Sequence, residues 1–449
     1  MLPPIDALRV QLANRHLDAQ TLLASCVGNI EADAGEGRRV FPYGVSPAAA
    51  TQAMTSDALR RHGVAGPLSG IPVSVKDLFD VQGEITRSGG RVLPEQPAIR
   101  DAVAIGRLRA AGAVFVGRTH MTEFAYSGLG INPHHGTPAN PFDREAARIP
   151  GGSSSGAAVS VADGMAAAAI GSDTGGSCRI PAALCGVTGF KPTASRIPLD
   201  GTVPLSSSYD SVGSIAPSVA CCAVIDSIMA GEPDVPLPPF SVHGLRLAVP
   251  TKLVLDEMDA HVATTFERAI SKLAEAGAIL KEVEFESWNA LAELGQHGGL
   301  VAAEAWAWHV NMIGSHANQY DPRVLSRIRF GSQQSTAEYL RTKARRSLLC
   351  GQADLELQPF DAVICPTVPI IAPQIAELAE ERAYTSTNRL LLRNPAIANM
   401  LDLCALSVPC HEEGHAPVGL MLMGRHMSDR HLLAIGAGVE AILSLRQTG

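Results

Sequence analysis

The sequence predicts an α/β protein in which helices cover a largely parallel β-sheet. Short apolar segments alternate with segments of helical periodicity along the first half of the chain, which is the pattern of βαβ units. The chain has 449 residues, of which 46% are apolar and 18% charged, and this is enough to bury a large globular core. We expect strands from both halves of the chain to complete the sheet.

The first predicted strand covers residues 71–76. Its residues alternate in polarity, so that Val73 and Val75 share one face and Lys76 lies near the end of the strand. Further along, a segment of helical periodicity ends at a glycine. A segment of small helix-forming residues comes later, and the loop after it has too many glycine and polar residues to form a helix or a strand. In chain order these segments predict a helix over 102–111, a strand over 113–116, a helix over 157–165, a buried element over 166–170 and a loop over 171–177.

The second half of the chain begins after a proline-rich segment, residues 233–239, which has the composition of a linker. A helix is predicted over 259–276 because apolar side chains recur on one face between Val262 and Leu273. Short apolar or alternating segments predict strands over 244–250, 279–285, 360–365, 406–409 and 418–423.

Charge and composition exclude several classes of protein. The formal net charge of −8 gives no reason to expect nucleic acid as a partner. No uncharged apolar stretch reaches the roughly 18 residues of a membrane span, and the first residues lack the pattern of a secretory signal. We therefore expect a cytoplasmic protein without a membrane partner. The nine cysteines include no pair at zinc-ligand spacing, so we expect reduced thiols and no metal site.

Two segments rich in glycine and serine carry the strongest functional signal. Residues 151–156 are Gly-Gly-Ser-Ser-Ser-Gly, and residues 172–177 are Ser-Asp-Thr-Gly-Gly-Ser. A serine hydroxyl needs a base beside it to act as a nucleophile, and glycines allow backbone N–H groups to surround an oxyanion. Lys76 can supply that base if burial keeps its amine neutral. The two segments and Lys76 thus predict an active site built from serines and a lysine.

Seven segments carry a resemblance to one protein family. In chain order they are residues 66–77, 122–125, 151–177, 179–182, 189–193, 361–367 and 417–424. In these segments the chain resembles the amidase signature family, whose hallmark is a Gly/Ser-rich core with a Ser-Ser-Lys triad. The likeness covers nearly the whole chain, and its central motif is highly specific.

The resemblance assigns a role to each predicted site residue. It implies that Ser177 is the acyl nucleophile, that Ser153 is a proton-relaying serine preceded by a cis peptide bond, and that Lys76 is the base. An amide would acylate Ser177 with loss of ammonia or an amine, and water would then hydrolyse the acyl-enzyme without a cofactor or metal. The N–H groups expected to form the oxyanion hole are those of Thr174, Gly175, Gly176 and Ser177. The side chains expected to support the site are those of Ser154, Asp173 and Arg179.

The resemblance also implies an architecture and a partner. We expect one amidase domain with a large mixed, mostly parallel sheet covered by helices on both faces. Its expected parts are an N-terminal helical part (1–65), a catalytic core (66–232), an excursion with substrate-pocket helices (233–360) and a return to the sheet (361–449). The expected partner is a small-molecule amide, bound by parts of 126–135, 300–335 and 385–400, and a homodimer is compatible with the family.

Other functions fit parts of the sequence. The A subunit of the tRNA-dependent amidotransferase, a glutaminase, shares the triad but typically continues after Thr-Glu-Phe-Ala with a Met-Gly-Ser-Ser-Thr-Glu-Asn segment. Residues 126–133 are instead Tyr-Ser-Gly-Leu-Gly-Ile-Asn-Pro, as in stand-alone amidases. A Gly-x-Ser-x-Gly motif at 152–156 would make Ser154 a nucleophile, but that motif must follow a strand, and residues 142–150 are charged and end in proline. A catalytically silent protein could also keep the triad. We expect a stand-alone amidohydrolase that cleaves the C–N bond of a small linear carboxamide.

Overall fold

A ten-stranded sheet forms the centre of the structure, a computed structural model that describes residues 1–32 and 34–444. In chain order the strands are β1 (Pro72–Lys76), β2 (Val114–Thr119), β3 (Ala168–Ser172), β4 (Thr188–Lys191), β5 (Val212–Ala216), β6 (Arg246–Pro250), β7 (Ile279–Val283), β8 (Ala362–Pro366), β9 (Cys404–Pro409) and β10 (Gly419–Gly424). Their order across the sheet is β2-β1-β3-β5-β4-β9-β10-β8-β6-β7. Strands from both halves of the chain therefore complete the sheet, as predicted.

Parallel pairing is confined to the two ends of the sheet. β2 with β1, β1 with β3, β8 with β6, and β6 with β7 are parallel pairs. Every pair between β3 and β8 is antiparallel. The mixed sheet is confirmed, but parallel pairing prevails only at its ends. β9 and β10 follow each other along the chain through a short connection, which favours antiparallel pairing. β4 and β5 also pair antiparallel with each of their neighbours.

The central strands β4 and β5 are not predicted by the sequence pattern. Both are short, and every one of their residues is buried, so neither shows the alternation of polarity that marks a half-exposed strand. β5 also contains Gly213, where a Cβ atom would lie 2.4 Å from the carbonyl oxygen of Phe190 on β4. Glycine is needed there because β4 and β5 become neighbours in the folded sheet, and the local sequence does not show which strands will be neighbours.

Helices cover both faces of the sheet, as predicted. They are α1 (Ile5–Ala13), α2 (Ala19–Glu31), α3 (Gly37–Val40), α4 (Ala49–Arg61), α5 (Val103–Ala110), α6 (Ser155–Ala162), α7 (Arg179–Cys185), α8 (Val219–Ala230), α9 (Ala260–Glu275), α10 (Glu286–Asn289), α11 (Leu291–Leu294), α12 (Gly299–His316), α13 (Pro322–Phe330), α14 (Thr336–Leu357), α15 (Glu381–Met400) and α16 (Asp429–Ser444). Ile170 of β3 belongs to an apolar cluster with Leu108 of α5 and Val219 of α8. Its neighbour Ala169 belongs to a second cluster with Ala158 of α6, on the opposite face. Within residues 1–32 and 34–444, none of these helices combines the length and apolarity that a membrane span requires.

The ends of α9 illustrate how local sequence sets an element. The carboxylate of Asp259 caps the helix by accepting a hydrogen bond from the N–H of Val262 at 2.7 Å. Phe266 and Leu273 are buried on one face, and Gly277, with φ of +91°, takes the chain away after the last turn. The helix predicted over 259–276 is therefore confirmed to within a residue at each end.

Candidate active site

The ends of two neighbouring strands bring the predicted site residues together. β1 and β3 run parallel, so their last residues, Lys76 and Ser172, lie at the same edge of the sheet. Ser153 and Ser177 lie just before the first residues of α6 and α7, at the same edge. Sites in open α/β sheets are commonly found outside the carboxyl ends of parallel strands.

Lys76 is completely buried and points at two serine hydroxyls. Its Nζ atom lies 2.8 Å from Oγ of Ser153 and 2.9 Å from Oγ of Ser172. Burial lowers the pKa of Lys76 to about 8, although the negative charges of Asp173 and Asp210 act in the opposite direction. A lysine with this pKa carries an appreciable neutral fraction close to neutral pH, so it can accept a proton.

Ser153 follows a cis peptide bond with Gly152, the feature expected from the family resemblance. Glycine is required at 152, because a Cβ atom there would lie 2.5 Å from the backbone nitrogen of Gly130. The carbonyl oxygen of Ser153 accepts a hydrogen bond from the N–H of Thr122 at 3.2 Å. The Ser153 hydroxyl is thereby held on the Lys76 side of the loop.

Ser177 is 3% exposed and lines a cavity of about 270 Å³. Its carbonyl oxygen accepts a hydrogen bond from the N–H of Ser154 at 3.2 Å, which ties together the two segments that carry the serines. Among the hydrogen bonds of the described residues, none joins the hydroxyls of Ser153 and Ser177 directly. Ser177 therefore lies at the wall of the cavity.

Four N–H groups of the loop that ends at Ser177 are the expected oxyanion donors, and one of them has an acceptor within the protein. The N–H of Gly176 donates to Oδ1 of Asp173 at 2.8 Å, so it supports the loop internally. The N–H groups of Thr174, Gly175 and Ser177 donate to no acceptor in the part of the chain that the structure describes. These three groups, without Gly176, are the candidate oxyanion donors. Gly176 still needs to be glycine, since its φ is +127°.

A buried ion pair between Asp173 and Arg179 supports this loop. Both side chains are inaccessible to solvent, and Nη2 of Arg179 lies 2.8 Å from Oδ1 of Asp173. Burial alone would raise the pKa of Asp173, but the charge and hydrogen bonds of Arg179 hold it well below its ordinary value. The side-chain amide of Asn399 on α15 donates a hydrogen bond to Oδ1 of Asp173 at 2.9 Å, and its oxygen accepts one from Nη2 of Arg179 at 2.8 Å. Every charge in this pair is therefore compensated.

Two alternative nucleophiles are poorly placed. Ser154 is fully buried, and its hydroxyl donates to the carbonyl oxygen of Ser172 at 3.3 Å, so it supports the site and does not line the cavity. Cys178 is also fully buried, and burial raises the pKa of its thiol to about 12.

Three residues at the site were not identified from the sequence. Ser172 holds Lys76, Asn399 holds the Asp173–Arg179 pair, and Asp210 accepts a hydrogen bond from the hydroxyl of Thr174 at 2.5 Å. For Ser172 a signal existed, because it ends a strand beside the motif that contains Ser177. The positions of Asn399 and Asp210 depend on long-range packing, for which one sequence holds no signal.

The cavity has mainly apolar walls. They are formed by residues 125–127, by Leu205 and Tyr209, and by side chains of α12, α13 and α15. Arg327 of α13 is the charged side chain in this wall, and Asn388 of α15 adds an amide. All three segments expected to form the pocket contribute to it.

Comparison with known proteins places the chain in a family. Residues 41–433 match the Amidase family. The chain belongs to this family. A solved amidase superposes with a TM-score of 0.87 at 31% identity, covering 98% of this chain and 99% of the other. The native peptide amidase of Stenotrophomonas maltophilia superposes with a TM-score of 0.82 at 27% identity, covering 99% and 97%.

Two similar sequences belong to proteins with different named functions. This amidase-family chain is 38% identical over 383 residues to a 2-amino-5-chloromuconic acid deaminase of Comamonas testosteroni, covering 84% of this chain and 82% of the relative. It is 32% identical over 441 residues to the A subunit of the glutamyl-tRNA(Gln) amidotransferase of Roseiflexus castenholzii, covering 90% and 88%. The predicted family and fold class are confirmed, and the chain is a hydrolase of the amidase family that acts on C–N bonds.

Proposed function

We propose that this amidase hydrolyses the C–N bond of a small linear carboxamide through an acyl-enzyme on Oγ of Ser177. The observation that carries the proposal is the 2.8 Å hydrogen bond between the buried amine of Lys76 and Ser153, beside a second serine that lines a cavity. A lysine removed from water is the kind of base that can activate a serine without histidine.

The proton route follows from this geometry. The neutral amine of Lys76 takes the proton of Ser153, which takes the proton of Ser177 as its Oγ attacks the amide carbonyl carbon. The hydrogen bond between the two serines closes when bound substrate orients Ser177. The N–H groups of Thr174, Gly175 and Ser177 stabilise the oxyanion.

Two further steps complete the reaction. The C–N bond breaks as the protonated lysine returns the proton through Ser153 to the departing nitrogen, so ammonia or an amine leaves. Water then attacks the ester carbonyl and gives one proton to Ser153, whose own hydroxyl proton passes to Lys76. Breakage of the ester bond returns that proton to Ser177 and releases the carboxylic acid.

The cavity favours an amide that also carries a carboxylate. Nη1 of Arg327 donates to the carbonyl oxygen of Tyr126 at 2.7 Å, and its guanidinium lies 5.2 Å from the ring centre of Tyr384. Among the described residues Arg327 has no carboxylate partner, and no aspartate or glutamate lines the cavity. An uncompensated guanidinium in an apolar wall favours an anionic substrate group. One relative is named 2-amino-5-chloromuconic acid deaminase, and the acid in that name agrees with a carboxylate in the substrate.

The same wall argues against glutamine as the substrate. The similarity to amidotransferase A subunits raises glutaminase activity as a second candidate function. Glutamine would bring an ammonium group into the cavity beside Arg327, without a carboxylate among the described lining residues to receive it. A stand-alone amidohydrolase is therefore the better match.

Ammonia release tests the proposal. The substrates are the monoamides of malonic, succinic and glutaric acid, the matching neutral diamides, and glutamine. We expect turnover of at least one monoamide, and no turnover by Ser177→Ala. Activity of the Ser177→Ala variant would contradict the acyl-enzyme, and activity on glutamine alone would favour the amidotransferase.

A second pair of variants tests the carboxylate preference. A hydrogen bond to a charged group contributes about 1.5–3 kcal/mol, so Arg327→Met should raise KM for the monoamide roughly 10- to 100-fold and leave the neutral diamide unaffected. Arg329→Met, at an exposed position of the same helix, is the matched control and should behave as wild type. Equal effects of Arg327→Met on both substrates would contradict carboxylate recognition.

A further inference from the structure

We propose that Asp210 is a positioning residue that orients the oxyanion-binding loop through the hydroxyl of Thr174. The inference rests on the proposed function, because it concerns how the donors of that loop are held. It extends the site to a carboxylate that touches neither the nucleophile nor the substrate.

Both carboxylate oxygens of Asp210 accept hydrogen bonds. Oδ1 accepts the hydroxyl of Thr174 at 2.5 Å, and Oδ2 accepts the N–H groups of Leu205 and Ser206 at 2.9 and 3.0 Å. The residue is 5% exposed. Three donors are thus received by two oxygens, which an ionised carboxylate can do and a carboxamide, with its one acceptor oxygen, cannot.

Thr174 connects the carboxylate of Asp210 to the proposed oxyanion-binding loop. Thr174 lines the cavity next to Ser177, and its N–H is one of the three candidate oxyanion donors. A hydrogen bond from its side chain restricts rotation of the residue, so the N–H direction is fixed before substrate arrives. Preorganised donors of this kind stabilise charge that develops only in the transition state.

The same carboxylate couples the loop to a wall of the cavity. Asp210 holds the N–H of Leu205, which lines the cavity. The hydroxyls of Ser206 and Ser208 donate to Glu304 of α12, and the hydroxyl of Tyr339 donates to Glu304 at 2.9 Å. A set of hydrogen bonds therefore runs from Thr174 through Asp210 and Ser206 to α12, which contributes Val301 to the cavity wall.

A matched pair of variants separates positioning from stability. Thr174→Val removes the hydroxyl at nearly constant volume. Thr193→Val is the control, because Thr193 is buried as well and donates its hydroxyl to a buried aspartate, Asp429, at 2.8 Å, outside the cavity. Misplaced catalytic groups cost up to about 100-fold in rate, so Thr174→Val should lower kcat roughly 10- to 100-fold with KM changed less than about threefold.

The control and the rescue decide the outcome. Thr193→Val should lower the melting temperature and leave kcat unchanged, and Thr174→Ser, which restores the hydroxyl, should recover most of the lost kcat. Equal kcat values for Thr174→Val and Thr193→Val would overturn the inference. If Ser177→Ala retained activity, the proposed function itself would have failed, and the two failures are thereby distinguished.

A second measurement needs neither a known substrate nor a stable Thr174→Val protein. A small alkyl fluorophosphonate reacts when Oγ of Ser177 bonds to phosphorus and fluoride leaves, while the serine proton passes to Lys76 through Ser153. We expect Asp210→Asn to slow this labelling roughly 10-fold or more on the plateau above the pKa of Lys76, as followed by intact mass. Labelling at the wild-type rate would overturn the inference.

The pH dependence of the same labelling gives a readout that loss of packing would not move. The charged or ionisable groups that face Lys76 are Asp173, Cys178 and Asp210, and all three raise its pKa against the effect of burial. Burial raises the pKa of Asp210 to about 6, so its charge acts on Lys76 above that pH, and removing the charge should move the acid limb of the labelling rate to lower pH. A limb at the wild-type position would contradict the role of an ionised Asp210.

Discussion

In the proposed reaction, Lys76 determines the pH at which the site can act, because only its neutral amine can take the proton of Ser153. Burial lowers the pKa of Lys76 to about 8, so the protonated, inactive form prevails below that pH and the neutral form above it. We expect kcat/KM to fall about tenfold for each pH unit below about 8 and to level off above. Steady-state rates across this range measure the limb. A rate that is constant below the predicted pKa, or that falls as the pH rises through it, would contradict the lysine base.

Residue chemistry explains which parts of the site the sequence could predict. Ser153, Ser177 and Lys76 stand out because their residue types and glycine-rich surroundings indicate one reaction. Asn399 and Asp210 are ordinary residues in the sequence and become part of the site only through hydrogen bonds to residues far along the chain.

The loop between β3 and α7 depends on the Asp173–Arg179 ion pair. Removing one partner of a fully buried pair leaves an uncompensated charge, so Arg179→Met should lower the free energy of unfolding by about 3–5 kcal/mol. The control is Arg345→Met, because Arg345 pairs with Glu293 on the surface, where both side chains are about half exposed, and should cost less than about 1 kcal/mol. Urea unfolding measures both values. Equal losses in the two variants would contradict a structural role for the buried pair.

Elements with a strong local signal were predicted better than those defined by their neighbours. The helix α9 has a cap, an apolar face and a terminal glycine within its own sequence. The strands β4 and β5 have none of these, and their extended backbone is fixed by pairing with neighbouring strands. The N–H of Gly176 is a similar case, since its direction toward Asp173 depends on the fold of the loop.

At the scale of the whole molecule, the ends of the sheet strands position the proposed lysine base, and the later helices supply most of the cavity wall. β1 and β3 place Lys76 and Ser172 at one edge, while α12, α13 and α15 close the space above Ser177. The division between a core, an excursion over 233–360 and a return to the sheet remains a prediction of the sequence. Which side chains of the excursion face the cavity, such as that of Arg327, follows from helix packing and could not be predicted.

The central claim is that the amide becomes an acyl group on Ser177. The most direct test is rapid quenching of the enzyme during turnover of a monoamide, followed by peptide mass spectrometry. The account predicts an added mass equal to the amide less ammonia, located on the peptide residue Ser177 and absent from Ser177→Ala. An adduct on Ser154 or Cys178, or turnover by the Ser177→Ala variant, would contradict it.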